Sequence, residues 1–249
     1  MKRLRIVASL VAWTALMLPC HSMAADDQAQ QPPRTQSLNK ADVKSSQAMP
    51  LYRPPKGTVP GGRLKGGSRG GKDFPVIQVL APNHVGLTRQ KQPTLYWYLS
   101  KRTTYALEFT FVDSRAIQPI IEVGLPQPSE AGVQRIRLRD YGVFMDTDVP
   151  YRWFVTMIVD PSNSSKDITA GSIIERVDYV ESLIINAAGE EDPARLAGGG
   201  LWYDAISKLS DSIEASPNDP FFRMQRAALL SQVGLLEIAE SDLKRNGNR

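Results

Sequence analysis

Arg135-Ile136-Arg137-Leu138-Arg139 alternates strictly between arginine and an apolar residue. A period of two puts the arginines on one face of an extended chain and Ile136 and Leu138 on the other. The segment therefore predicts a β-strand with one buried and one solvated face. Working outward from 133–138, short apolar runs bounded by Gly, Pro and Asn recur at 76–80, 94–99, 106–112, 119–123, 152–159 and 173–177. Seven such strands in roughly a hundred residues predict an all-β domain over 74–180, arranged as a β-sandwich.

Three of these segments carry aromatic residues at spaced positions: Pro93-Thr94-Leu95-Tyr96-Trp97, Tyr105-Ala106-Leu107-Glu108-Phe109 and Tyr151-Arg152-Trp153-Phe154-Val155. The pattern resembles a fibronectin type III or immunoglobulin-like module. That resemblance implies that Trp97 fills the core and that Tyr151 is a corner tyrosine bonding back to backbone.

Beyond residue 180 the period becomes helical. Trp202, Ile206, Leu209 and Ile213 share one helix face. Pro217 and Pro220 break that helix and start the next, with Asp219 as N-cap and Pro220 at the first helical position. Gly200-Leu201, Ala205 and Leu209 recur as Gly234-Leu235, Ala239 and Leu243. The offset of 34 residues is the tetratricopeptide period. The expected architecture is thus a sandwich followed by a tetratricopeptide-like helical tail over 181–245. Pro193 is expected to spoil the helix that would complete the first unit. About three units are needed for a free-standing array, so the tail is expected to pack on the sandwich or on a partner.

The chain opens Met1-Lys2-Arg3-Leu4-Arg5, followed by an uncharged, mostly apolar run over 6–18 and small residues at Ser22 and Ala24. This is the pattern of a cleavable secretory signal over 1–24, too short to span a bilayer comfortably. Its removal takes Lys2, Arg3 and Arg5 but no acidic residue, so the formal charge falls from +4 to +1. Cys20 and His21 leave with it, and His84 is then the one histidine. Disulfides, cysteine nucleophiles and Cys/His zinc sites are excluded on that reading. Later in the sequence nothing approaches a transmembrane helix.

Residues 25–73 are rich in Gln, Pro, Ser, Gly and Lys and are expected to be a disordered linker. Between 53 and 72 stand six basic residues, Arg53, Lys56, Arg63, Lys65, Arg69 and Lys72, with no acidic one. They read as a solvated tether or as contacts to an anionic surface, either acidic lipid or glycan. Interleaved aromatics for base stacking are missing, so no nucleic acid is expected.

Several segments together resemble an uncharacterised bacterial family, catalogued only as domain of unknown function 928. They include Pro60-Gly61-Gly62-Arg63 with Gly66-Gly67-Ser68-Arg69-Gly70, Gly86-Leu87-Thr88, Pro93 to Tyr98, Tyr151-Arg152-Trp153-Phe154 and Ile174-Glu175-Arg176-Val177. Gly200-Leu201-Trp202-Tyr203-Asp204-Ala205 and Val233-Gly234-Leu235 complete the set. The resemblance implies an exported bacterial protein and no assigned activity.

Individual chemical candidates favour structural roles. Gly66, Gly71 and Lys72 match the start of a phosphate-binding loop, but Asp73 replaces the hydroxyl and Pro75 spoils the following helix. His84 sits in a turn without an evident partner. Asp204 falls at a helix start, where a carboxylate complements the helix dipole. Asp146 and Asp148 read as turn residues before Pro150 rather than calcium ligands. Glu190, Glu191 and Asp192 read as a helix-start cluster. Trp97, Trp153 and Trp202 read as core rather than as sugar-stacking platforms.

The expectation is a non-catalytic interaction protein of the bacterial envelope, periplasmic or secreted, without cofactor or metal, whose partner is another envelope or secreted protein. The alternatives are an acidic-surface or glycan-binding module using the six basic residues together with the face of Arg135, Arg137 and Arg139, and a carboxylate-based envelope glycan hydrolase.

Overall fold

The computed structural model describes residues 49–64, 66, 74–126, 130–178 and 192–244. Among the described residues, eight strands form two sheets. Strands β1 (Ile77–Val79), β3 (Thr94–Leu99) and β6 (Gly132–Arg137) make an antiparallel three-stranded sheet in the order β1-β3-β6. Strands β2 (Gly86–Thr88), β4 (Ala106–Asp113), β5 (Ile121–Leu125), β7 (Pro150–Ile158) and β8 (Ile168–Arg176) make the second, in the order β2-β8-β7-β4-β5. All seven expected strands are present. The eighth, β2, pairs parallel to β8.

Period-two patterning explains how the sheets share a core. Leu107, Phe109 and Phe111 of β4, Tyr151, Trp153, Val155 and Met157 of β7, and Ala170 and Ile174 of β8 are all buried. From the other sheet come Ile77, Val79, Leu95, Trp97, Leu99 and Ile136, and β1 lies against β7 and β8. Phe111 stacks on Tyr151 with ring centroids 5.1 Å apart. Each such large apolar side chain contributes about 1.5–3 kcal/mol by leaving water. Ile136 and Leu138 point inward as expected, but the strand stops at Arg137 and Leu138 opens a 3-10 turn. The hydroxyl of Tyr151 accepts a hydrogen bond from the Asp146 backbone N–H at 3.1 Å, the expected link back to the corner.

Among the described residues, four helices follow: α1 (Pro193–Gly198), α2 (Trp202–Ala215), α3 (Pro220–Gln232) and α4 (Leu236–Lys244). Pro193 does not spoil α1; it begins it. A proline's missing N–H costs nothing at the first helical position, and Asp192 caps the end by accepting from Ala194 N at 3.0 Å. Asp219 caps α3 in the same way through Phe221 N at 2.9 Å. The 34-residue repeat is geometric as well as chemical. Gly200 and Gly234 both take left-handed backbone, at φ 82° and 75°. Leu201 N donates to Leu196 O and Leu235 N donates to Leu230 O, each at 2.9 Å. Among the described residues no helix is long and apolar enough to cross a membrane.

The composition of 49–64 predicts disorder, and here the structure corrects the expectation. Tyr52 is buried against Trp202, edge to face at 4.9 Å. Its N–H donates to Gln232 Oε1 at 2.8 Å, and Gln232 Nε2 donates back to Pro50 O at 2.9 Å. Arg53 N donates to Ala197 O at 3.1 Å. Farther on, Leu64 exchanges two backbone hydrogen bonds with Gly171 of β8. One buried aromatic and a series of backbone bonds order a strap that is poor in apolar residues. The expected signal segment over 1–24, residues 25–48 and most of 65–73 lie outside the described residues.

Candidate functional site

Three consecutive residues at the start of α2 fix the helices to the sheets. Trp202 Nε1 donates to Leu80 O at 2.8 Å. The Tyr203 hydroxyl accepts from Trp153 Nε1 at 3.0 Å and donates to Ile173 O at 3.3 Å. Asp204 accepts from Thr88 Oγ1 at 2.9 Å and from Arg89 N at 2.8 Å. Burial pushes the Tyr203 phenol well above its ordinary range. A Cβ on Gly86 would lie 2.6 Å from Cε2 of the Tyr203 ring, so β2 approaches α2 as only glycine permits. Asp204 thus does more than complement a helix dipole: it bonds a strand and the loop after it. Segments 86–88, 151–154 and 200–205, which carry the resemblance noted above, meet at this clasp.

The clasp sets α2 across β3, and a polar cleft of about 340 Å³ opens between the helices and the three-stranded sheet. β3 supplies Tyr96, whose ring faces away from the shared core. Arg135 sits beside it because the two are register partners. From α2 come Ser210, Ile213 and Glu214, spaced as one helix face. From α3 come Arg223 and Arg226.

Behind the cleft, Asp242 of α4 is 3% exposed and takes a bidentate pair from Arg226, with Nε and Nη2 each at 2.7 Å. Arg226 Nη1 also donates to Ser210 Oγ at 2.9 Å, and Ser210 donates to Ile206 O. Arg223 Nη1 stands 3.6 Å from the same carboxylate. A buried pair of this kind gives little net stability, but loss of either partner is costly. At the mouth, Arg135 pairs with Glu214. Burial raises the Tyr96 phenol pKa, Ser207 and Ser210 oppose the shift, and the Asp211 and Glu214 carboxylates add to it.

Three of the six expected anionic-surface residues, Arg53, Lys56 and Arg63, are among the described residues. Arg53 and Lys56 are exposed on the strap. Arg63 is half-buried, and its Nη1 donates to Ala81 O at 2.8 Å and Val233 O at 3.1 Å, so it ties strap to helix. Burial depresses its basicity. Lys65, Arg69 and Lys72 lie outside the described residues, as does most of the loop-like run after Gly66. Of the arginine face, Arg135 enters the cleft, while Arg139 pairs loosely with Asp140 at 3.8 Å beyond the strand end.

His84 Nδ1–H donates to Val85 O at 2.8 Å, which leaves Nε2 to accept from the Tyr52 hydroxyl at 3.2 Å. Asp148 holds a left-handed turn position at φ 56° and donates its N–H to Arg176 O. Trp97, Trp153 and Trp202 are core residues. Among the described residues no group of three or more metal-ligating side chains assembles.

Sequence reasoning missed Tyr96, Ser210, Glu214, Arg223, Arg226 and Asp242 as a group. The available signal was Arg223 and Arg226 on one face of a short amphipathic helix. Asp242, on the next helix, gave no local hint.

Fold and cleft together define a mixed β and α protein in which two sheets carry a helical tail with a preformed polar groove. The family described as Domain of Unknown Function (DUF928) matches residues 64–243, and the chain belongs to it. None of the curated proteins compared with it matches. Among solved structures, it is similar to a multi-domain immunophilin from Arabidopsis thaliana, at 9% identity and a TM-score of 0.17, over 71% of this chain and 95% of that one. A likeness so slight carries no argument about fold or function.

Proposed function

We infer that this chain is an exported, non-catalytic interaction protein of the bacterial envelope, with the helical tail and its cleft as the presenting surface. One observation carries the reading: residues 202–204 bond the tail to three separate parts of the sheets, so the cleft is held open before any partner arrives. Preorganisation of this kind lowers the ordering cost of binding. A fibronectin-III-like sandwich agrees with the two sheets and the Tyr151 corner, although the parallel β2–β8 pair departs from that module's antiparallel sheets. A tetratricopeptide-like tail agrees with the 34-residue repeat of turn geometry. Both are modules that present surfaces, a parallel by analogy.

The test is affinity capture from envelope extract with the protein and an Arg135→Glu variant of unchanged melting temperature, both eluted by a salt gradient. A discrete protein held at high salt by the parent and lost by the variant supports the reading. A second reading, binding of acidic lipid or glycan through the basic stretch, is favoured by the exposure of Arg53 and Lys56. It predicts polyanion retained equally by both forms and released by moderate salt, because counterion release drives such binding. A glycan hydrolase needs two carboxylates about 5–9 Å apart in a groove; among the described residues Glu214 is the carboxylate lining this one, and it already pairs with Arg135.

A further inference from the structure

The five-stranded sheet ends in β5, which pairs with β4 on one side and, among the described residues, with no strand on the other. Such an edge offers a row of backbone N–H and C=O groups to another extended chain. β2, at the opposite end of the sheet, packs against α2. The apolar core runs out along β5. On β4, Leu107, Phe109 and Phe111 are sealed. Their register partners Leu125, Val123 and Ile121 face the same side and stay only partly covered. Ile120, just before the strand, is 49% exposed, and Ile117 fully so. The other face of the edge is acidic. Glu122 stands beside Thr110 and Gly124 beside Glu108, so the two carboxylates are diagonal neighbours on the outer face. Burial raises the Glu108 pKa, and the charges of Glu122 and Asp167 add to it. Lys166, next to Asp167, is engaged by Asp160. A Cβ on Gly124 would meet nothing within 4 Å, so the space over that position is open.

We propose that β5 is a docking edge for an extended segment of a partner protein that alternates apolar and basic residues. The segment adds a strand beside β5. Its apolar residues close over Ile121, Val123 and Leu125, and its basic residues lie on the outer face, by Glu122 and over Gly124 toward Glu108. In this mode backbone hydrogen bonds supply affinity and alternate side chains supply selectivity. Charge decides between occupants. A second copy paired antiparallel about Val123 sets its Glu122 across from Gly124, which brings a further carboxylate up to Glu108. Any acidic strand meets the same repulsion, whereas a basic one relieves it. Pro119 and Pro126 bound the edge, and proline lacks the N–H that pairing needs, so the docked stretch matches the five residues of β5. The inference goes beyond the cleft, to which β5 contributes no residue.

The test is fluorescence anisotropy of a labelled, capped peptide of alternating valine and arginine, about seven residues long, titrated with the protein. Three peptides serve as controls. One has the same composition with the arginines in a block, and one has glutamate in place of arginine. The third is methylated at every backbone nitrogen, which keeps charge and apolar surface but removes the donors that pairing needs. Saturable binding at least about tenfold tighter than each control is expected. Glu122→Lys should weaken it about tenfold or more, and Glu108→Gln about threefold, with melting temperatures no lower than the parent's. The proposal is overturned if the peptide does not saturate, if any control binds as tightly, or if Glu122→Lys binds like the parent. It also falls if the protein sediments as a dimer that excess peptide fails to dissociate, because the edge then belongs to a second copy. Loss of capture on Arg135→Glu tests the cleft, and loss of peptide on Glu122→Lys tests β5, so either reading can fail while the other holds.

Discussion

Asp204 and Thr88, 116 residues apart in sequence, share a buried hydrogen bond of 2.9 Å, and the second oxygen of the same carboxylate accepts from Arg89 N. A strand end and a helix start are thereby joined through one side chain. Asp204→Ala is expected to cost about 2–4 kcal/mol, because two donors lose a charged acceptor in a buried place. Thr88→Ala should cost about 1–2 kcal/mol. The double variant should fall short of the sum by about 1 kcal/mol, which denaturant unfolding of all four forms would show.

Gly86→Ala tests the closeness of β2 and α2. The new methyl would meet the Tyr203 ring at 2.6 Å, and that ring is fixed by hydrogen bonds to Trp153 and Ile173. A loss of about 1–3 kcal/mol is expected, as for overpacking elsewhere. A melting temperature equal to that of the parent would mean that the ring shifts freely.

The two repeated glycines should respond unequally to alanine. At Gly234 nothing stands within 4 Å of a Cβ, so the cost is that of a left-handed backbone alone, about 1–2 kcal/mol. At Gly200 the Cβ also comes 3.2 Å from Arg53 O and 3.3 Å from Pro55, so Gly200→Ala should be the more damaging. Thermal melts of the pair give the order directly.

Glu108 gives a pH signature. Burial raises its pKa, and Glu122 and Asp167 raise it further. With the folded value above the unfolded one, folding favours the protonated form. That contribution is complete below the unfolded pKa and disappears as pH rises through the folded one. Glu108→Gln should therefore raise the melting temperature at pH 7 and leave it nearly unchanged at pH 4. Equal shifts at both pH values would remove the electrostatic account.

How much of this was legible depended on whether the signal was local. β3, β4, β6 and β7 declare themselves because alternation is written into consecutive residues. β2 was missed: three residues carry no period, and its parallel partner β8 lies more than eighty positions away. The strap was misread because composition averages over 25–73 and hides the one buried aromatic, Tyr52. Pro193 was misread as a breaker although Asp192 before it was read as part of a helix start, and a helix that starts at Asp192 puts the proline at its first position. Tyr96, Arg135, Arg226 and Asp242 come from four different elements, and only the fold brings them together.

The strap has a consequence for biosynthesis. Pro50 and Tyr52 bond to Gln232, 182 and 180 positions later. The first of the described backbone thus waits for α3 before it has these partners. Contacts of such long range form late and slow the search for the native state. A nascent chain halted anywhere short of α3 lacks the acceptor that seats Tyr52 and one of the two carbonyls that anchor Arg63. The strap consequently cannot seat along with the strands that precede the helices; it is fastened only once α3 has been made.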